Sequence, residues 1–404
     1  MIKACVVGLG QRGYSLLGSV LIKNPDLSIV ALCDVYEDRV AKAVEKVREA
    51  GGDPKGFTDW REALNLAGLE AVFILTDWSS HTEIAVYAME KGIAVASEVG
   101  CESSLERCHE LVRTREKTGT PYMFMENCCY NRDELLATSM ARKGLFGTVV
   151  HCSGAYAHDL RQEVSYGHVT RHYRFDHYLN RNCDNYSTHE LGPIAKLLDI
   201  NRGNRILTVS SFASKAAGLE AYIATREDAT EEMKRARFRQ GDVVTTLLTC
   251  AGGETIQLQL DTTLPRSYDR AFTVRGTKGM YTQSLDAVFL DGEKEYWTPF
   301  KYAANNLNNA KNYEGDYLPD LWKNVTPEEK QAGHGGMDWF VYRAFTDAIK
   351  NGTPMPIDVY DAATWQAVSV LSERSIAQGG RPQAMPDFTG GKWLTRPRLD
   401  VCEM

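Results

Sequence analysis

The feature that most constrains this chain is six residues long. Residues 8–13 read GLGQRG, set between the β-branched run Ile2 to Val7 and the helical pattern of YSLLGSVLIK. Gly8, Gly10 and Gly13 at such a junction allow a tight turn and the approach of backbone N–H groups to a pyrophosphate. The string alone is common in loops, so its surroundings decide. A second strand, LSIVALCD, ends in Asp34, about 20 residues after Gly13, where a carboxylate can accept ribose hydroxyls. Asp34 repels a 2′-phosphate, and Val35-Tyr36 bring no arginine to offset it, so NAD is expected rather than NADP.

Strand and helix patterns then alternate: helix about 37–50, strand 70–75, helix 79–91, strand 93–97, helix 103–118 and strand 121–125. This predicts an α/β fold with an N-terminal Rossmann, doubly wound parallel sheet. Ligands of such sheets lie beyond the carboxyl ends of the strands, and TDWSSH (76–81), SEVG (97–100) and ENCCY (126–130) occupy those ends. The alternative for each is a loop that caps the next helix, as Ser79 or Ser80 would before Glu83. At 404 residues the chain exceeds one ordinary core. Two domains, 1–130 and 131–404, are expected, with C-terminal helices able to pack back on the first. The second is predicted to be α+β, its strands 206–214, 242–250, 254–263 and 271–276 forming an open, mainly antiparallel sheet with one wet face. The segments GGMDWFVYRAFTDAIKNG and DVYDAATWQAVSVLSERSIA show helical spacing and read as packing.

Composition removes several function classes. A net charge of -7 leaves no broad basic surface, so nucleic acid is not an expected partner. No run approaches 18 apolar residues, so no membrane span is expected. Met1 leads directly into IKACVV, without room for a secretory signal, and the ten cysteines are scattered with no CxxC. Reduced thiols in a cytoplasmic protein are the expectation. Six of the nine histidines fall within 151–189, yet only His168 and His172 show HxxxH spacing, and no third ligand stands near them; no metal is expected.

One stretch, NYSTHELGPIAKLL (185–198), places polar side chains just ahead of a Gly-Pro. Pro193 belongs in the first turn of a helix, and Ser187 three residues before Glu190 reads as a capping box. Either register puts His189 near a helix N-terminus, where it caps, packs or does chemistry. The region before it mixes Tyr156, Tyr166, Tyr173, Tyr178 and Tyr186 with Arg161, Arg171, Arg174 and Arg181. Aromatic faces and planar donors suit a sugar, and the same composition suits a solvated polar loop.

The order GLGQRG, Asp34, TDWSSH and strand-Ser-Glu resembles the glucose-fructose oxidoreductase / inositol dehydrogenase (Gfo/Idh/MocA) superfamily of sugar-handling proteins. Most members read Glu-Lys-Pro where this chain reads Glu98-Val99-Gly100, so the lysine that serves the dehydrogenase site is missing. GAYAHDLR (154–161), YRFDHYLNRNCDNYSTHELGP (173–193), INRG (200–203), PRSYDR (265–270) and HGGMDW (334–339) are similar to the NAD-dependent glycosidases of glycoside hydrolase family 109, known for α-N-acetylgalactosaminidase activity. That resemblance runs from residue 1 to near the C-terminus. Beyond Gly8 and Gly10 of the turn, it implies dinucleotide contacts from Gln11, Arg12, Gly13, Asp34, Trp78, Ser79, Ser80, His81, Glu98, Val99 and Asn127. It implies sugar contacts from Tyr156, Arg174, Tyr186, Ser187, Thr188, His189 and Tyr268, in a pocket where the second sheet meets the nicotinamide. Superfamily members commonly pair through the open sheet, so a homo-oligomer is expected. Relatives often carry an export signal that this chain does not show.

Most glycosidases work with two carboxylates, and the second half offers no obvious pair. A redox route uses the nucleotide instead, with NAD tightly bound and recycled. The small-molecule glycoside is oxidised at C3, loses the C2 proton, expels the aglycone from C1, takes up water and is reduced again. Tyr156 and His189 are the expected acid/base pair, His189 for the C3 hydroxyl proton and Tyr156 for the C2 proton. Arg174 is expected to orient hydroxyls or the N-acetyl group. Two rivals remain: a net NAD-dependent sugar or inositol dehydrogenase, and an NAD-binding regulator without chemistry.

Overall fold

A computed structural model describes residues 1–292 and 309–404. They form two units, one of Met1–Tyr130 with Val325–Ala367, the other of Asn131–Asn324 with Val368–Met404.

The first unit is built on a six-stranded sheet, with strands Ile2–Val7 (β1), Leu27–Cys33 (β2), Lys55–Phe57 (β3), Ala71–Ile74 (β4), Ala94–Ser97 (β5) and Tyr122–Phe124 (β6). Their order is β3-β2-β1-β4-β5-β6, and every pairing is parallel. Strands β4, β5 and β6 are buried at every residue, because crossover helices cover both faces of such a sheet; this is why they read as unbroken apolar runs. The order reverses between β1 and β4, the switch point where such sheets bind ligands. Sequence reading misses β3 and the short helix Trp60–Leu64, since KGF is an edge strand of three residues without periodicity. The late helix Met337–Asn351 belongs to this unit, with Tyr342 stacked on Phe73 at 5.5 Å and Phe345 edge-on to the same ring.

The second unit carries an eight-stranded sheet. Its strands are Val149–Ala157 (β7), Ile206–Ala213 (β8), Val243–Cys250 (β9), Thr255–Asp261 (β10), Thr273–Gly276 (β11), Gly279–Thr282 (β12), Ala287–Leu290 (β13) and Gln383–Ala384 (β14), in the order β13-β12-β11-β7-β10-β9-β8-β14. Strands β7 and β10 run parallel and the other pairs antiparallel, giving the mixed, mostly antiparallel sheet of an α+β domain. Burial alternates along β9 and β10, as one packed and one wet face require. The packed side meets short helices in a core that includes Tyr156, Leu160, Phe175, Tyr178, Phe238 and Leu260.

Of the two registers expected for the 185–198 stretch, the structure takes the one that starts after Ser187: the helix runs Thr188–Leu197, Pro193 lies inside it rather than in its first turn, and the Ser187 side chain at the N-cap position makes no capping bond. At Gly154 of β7 a Cβ would stand 2.8 Å from the Glu190 Cβ, so a glycine lets the helix settle onto the strand. At its other end Arg142 donates to the Leu197 carbonyl at 2.9 Å and the Lys196 carbonyl at 2.8 Å while pairing with Asp199 and Asp400, both at 2.8 Å. Before Glu83, the helix His81–Glu90 is entered through Asp77, which accepts the Ser79 N–H; the Ser80 hydroxyl turns back to the Asp77 carbonyl at 2.8 Å.

All ten cysteines are free thiols, nine of them buried. Among the described residues no helix is long and apolar enough to cross a membrane.

Candidate active site

In the first unit the expected nucleotide residues gather at the carboxyl ends of β1, β2, β4, β5 and β6. Gly8 has φ +98°, and a Cβ there would overlap the Leu75 carbonyl; one at Gly13 would overlap the Gly8 carbonyl. These two glycines make the turn. Gly10 has φ -63°, open to any residue, and the nearest atom to a Cβ there is an Arg39 nitrogen at 3.5 Å. The turn therefore has room on the side a pyrophosphate would take. Asp34 is buried and accepts the Leu9 N–H at 2.7 Å and the Tyr36 N–H at 3.0 Å, tying the acid to the glycine turn. The residues present fit a dinucleotide.

One reading is corrected. Arg39, a helical turn beyond Tyr36, stands 3.6 Å from Asp34 and lies over the Tyr36 ring at 4.7 Å, so an arginine does accompany Asp34.

Gln11 opens the helix Gln11–Leu16 and is exposed. Trp78, Ser79 and Ser80 form a 3-10 turn after β4, with Trp78 buried, Ser79 exposed and Ser80 half-buried. His81 is buried, its Nε2 3.0 Å from the Thr76 carbonyl, and a Cβ at Gly100 would approach its Nδ1 to 3.1 Å. Val99 is buried. Arg12, Glu98 and Asn127 converge on a residue not expected among them, Asp338. Arg12 binds its carboxylate with two bonds of 2.7 and 2.8 Å, Asn127 Nδ2 donates at 2.7 Å, and Arg12 reaches Glu98 at 3.1 Å. Burial acts to raise the Asp338 carboxyl, but the Arg12 charge, its hydrogen bonds and His334 hold it far below the usual carboxylate range. HGGMDW carried the signal, and apolar spacing alone made it read as packing.

The second unit assembles an aromatic cage. Tyr156, near the end of β7, has Tyr186 at 4.5 Å, His189 at 5.4 Å and Tyr268 at 6.5 Å between ring centroids. The Arg174 guanidinium lies over the Tyr186 ring at 4.8 Å and pairs with Glu163 at 3.4 Å. Ser187 and Thr188 are buried, and the Thr188 hydroxyl has no hydrogen-bond partner among the described residues. A buried orphan hydroxyl costs free energy unless a ligand completes it. Tyr268 is 51% exposed, at the rim. His158 is the residue sequence reading missed: its Nδ1 is 3.4 Å from the Tyr156 hydroxyl. Burial, and then the Arg174 charge, push its imidazole below the ordinary value, so it stays neutral and can accept a proton. Its spacing of two from Tyr156 in GAYAHDLR was the available signal, since such residues share a strand face.

Comparison with known proteins matches residues 130–395 to the family described as "Glycosyl hydrolase 109, C-terminal domain" and residues 2–125 to "Oxidoreductase family, NAD-binding Rossmann fold". The chain belongs to glycosyl hydrolase family 109. A glycosyl hydrolase family 109 protein of Stenotrophomonas maltophilia is 38% identical, over 98% of this chain and 90% of its own length. An alpha-N-acetylgalactosaminidase of Tannerella forsythia is 34% identical, over 98% and 88%. Among solved structures, levoglucosan dehydrogenase in complex with NADH and L-sorbose aligns with a TM-score of 0.68 at 16% identity, covering 96% of this chain and all (100%) of that one. Myo-inositol 2-dehydrogenase from Lactobacillus plantarum gives a TM-score of 0.68 at 13% identity, covering 95% and 99%. Those two establish shared fold. As a member of family 109 the protein is an NAD-dependent glycoside hydrolase built on the Gfo/Idh/MocA fold.

Proposed function

We propose that this member of family 109 hydrolyses α-N-acetylgalactosaminides through transient oxidation at C3, elimination across C1–C2, addition of water and re-reduction. The observation that carries the reading is the cage of Tyr156, Tyr186, His189 and Tyr268 with the Arg174 guanidinium. Aromatic faces stack on sugar C–H surfaces, and a buried guanidinium bonds hydroxyl or acetamido oxygens. The name carried by the relatives in Tannerella forsythia and Bacteroides fragilis, each 34% identical, supports the sugar. Bound NAD would supply the reversible hydride acceptor that makes the C2 proton acidic, held by Gly8 to Gly13, Asp34, Trp78 to His81, Glu98, Val99 and Asn127.

The chain's own groups hold the protons. Tyr156 gives its hydroxyl proton to His158 and, as the phenolate, takes the C2 proton, while His189 serves the C3 hydroxyl. Arg174 fixes the sugar, while Thr188 completes its hydrogen bond on a substrate hydroxyl. Two of the nearby acids are committed elsewhere, Asp159 to Arg161 at 2.7 and 2.8 Å and Glu163 to Arg174, which argues against that pair as the carboxylates of an ordinary glycosidase. Self-association is also proposed, with a second copy covering the open sheet face on which Phe212 and Leu247 are 56% and 47% exposed.

The test uses a panel of α- and β-linked aryl glycosides, following aglycone release and absorbance at 340 nm together. Release from the α-N-acetylgalactosaminide with no lasting NADH signal is the expected result. Steady NADH accumulation with free sugars and no aglycone release would return the protein to the dehydrogenases.

A further inference from the structure

Three segments that follow strands at the nucleotide edge are tied together by a side chain from near the other end of the chain. Arg12 follows β1, Glu98 follows β5 and Asn127 follows β6, and Arg12 and Asn127 are bonded to Asp338 on the first turn of helix Met337–Asn351. Glu98 joins through Arg12 and through the Tyr342 hydroxyl at 3.0 Å, one turn along the same helix. The Asp338 side chain is fully buried, while that of Arg12 keeps 33% exposure. Two of the five N–H groups of Arg12 are fixed by the carboxylate and one by Glu98, and Nη1 also lies 3.0 Å from His334 Nδ1, which holds the plane of the guanidinium.

The backbone before the helix is shaped around that carboxylate. Gly333, His334, Gly335 and Gly336 all have positive φ, at 74°, 41°, 66° and 104°. The turn brings His334 Nδ1 to 2.8 Å from Asp338, and a Cβ at Gly333 would overlap an Asp338 oxygen. A helix that served packing alone would not require four left-handed residues folded over one acid.

We propose that Asp338 is the positioning residue of the nucleotide site, a buried carboxylate that sets the Arg12 guanidinium and the Asn127 amide in the orientation the dinucleotide needs. It rests on the reading that Arg12 and Asn127 contact NAD. Asp338→Asn keeps an oxygen for Asn127 but removes the charge that grips Arg12, so it isolates the arginine.

The experiment measures NAD retained by the purified full chain and the dissociation constant for added NADH, read by its fluorescence. Four proteins are compared: wild type, Asp338→Asn, Arg12→Gln and the double variant, each with its melting temperature. Asp338→Asn is expected to weaken NADH binding roughly 10- to 100-fold, the loss of charge-assisted bonds, and to add nothing further in the Arg12→Gln background. Wild-type affinity in Asp338→Asn, or losses that multiply in the double variant, overturns the proposal and leaves Asp338 a purely structural anchor. If Asp338→Asn does not fold, Arg12→Lys decides. It keeps the charge without the two-pronged bond, so positioning predicts the affinity of Arg12→Gln, and wild-type affinity overturns it. Arg12→Gln with unchanged NADH binding would instead remove the Arg12 contact itself, a separate failure from that of the positioning role.

Discussion

Tyr156 and His189 sit in one aromatic cluster with ring centroids 5.4 Å apart, yet they reach it from different elements, the end of β7 and the start of helix Thr188–Leu197. If they hold the protons of the reaction, Tyr156→Phe and His189→Ala should each lower turnover about 10²- to 10⁴-fold while NADH affinity stays at the wild-type value. Steady-state rates beside a fluorescence titration check this, and wild-type turnover in both variants would discard the assignment. Asp338 makes a prediction of opposite kind, about stability and pH. Its carboxyl is held below the unfolded value, so the stabilisation is complete above that value, roughly pH 4, and is lost as pH falls through the depressed folded one. The melting-temperature advantage of wild type over Asp338→Asn should therefore be constant from pH 7 to about pH 5 and shrink in more acid buffer. An advantage that grows on acidification would show that the carboxyl is not the source.

Among the elements, helix Thr188–Leu197 carries His189 in its first turn and a proline in its interior. Pro193 inside it removes the N–H that would have bonded the His189 carbonyl, a cost set against packing on β7 and the grip of Arg142 on the far end. Arg142→Ala leaves Asp199 and Asp400 without its charge and two helix carbonyls without their donor. A loss of about 2–4 kcal/mol in urea unfolding is expected, and less than about 0.5 kcal/mol would show the cap to be dispensable. The glycine turn after β1 is the other decisive element. Gly8→Ala forces a Cβ into the Leu75 carbonyl at φ +98°, so purified Gly8→Ala should retain no NAD in a nucleotide assay. Stoichiometric NAD in that variant would contradict the turn geometry.

For the whole molecule, a cofactor that binds only the folded chain is part of its stability. Stripped protein should melt lower than loaded protein, and NAD at about 100 times its dissociation constant should return about 2.7 kcal/mol. A melting temperature indifferent to NAD would mean that the nucleotide site forms without stabilising the fold. The open face of the second sheet bears on assembly: light scattering should give a multiple of the chain mass, and Leu247→Glu should shift it toward the monomer. A wild-type monomer at micromolar concentration would remove the self-association proposal.

Much of this was legible in the sequence because it is periodic or sterically unique. Buried parallel strands read as apolar runs, half-wet strands alternate, and Gly8 and Gly13 are needed wherever a strand turns that tightly into a helix. Those signals are local and survive without knowledge of the fold. Short edge strands such as Lys55–Phe57 carry no period and went unread. Pairings across long stretches of chain were also invisible, because opposite charges can pair in many ways in sequence and packing selects one. Only the tertiary structure brought Arg39 to Asp34, His158 to the Tyr156 hydroxyl and Asp338 to Arg12, and chose between the two expected starts of the His189 helix. Periodicity and glycine sterics decided what the chain folds into, and long-range burial of charge decided which side chains its sites can use.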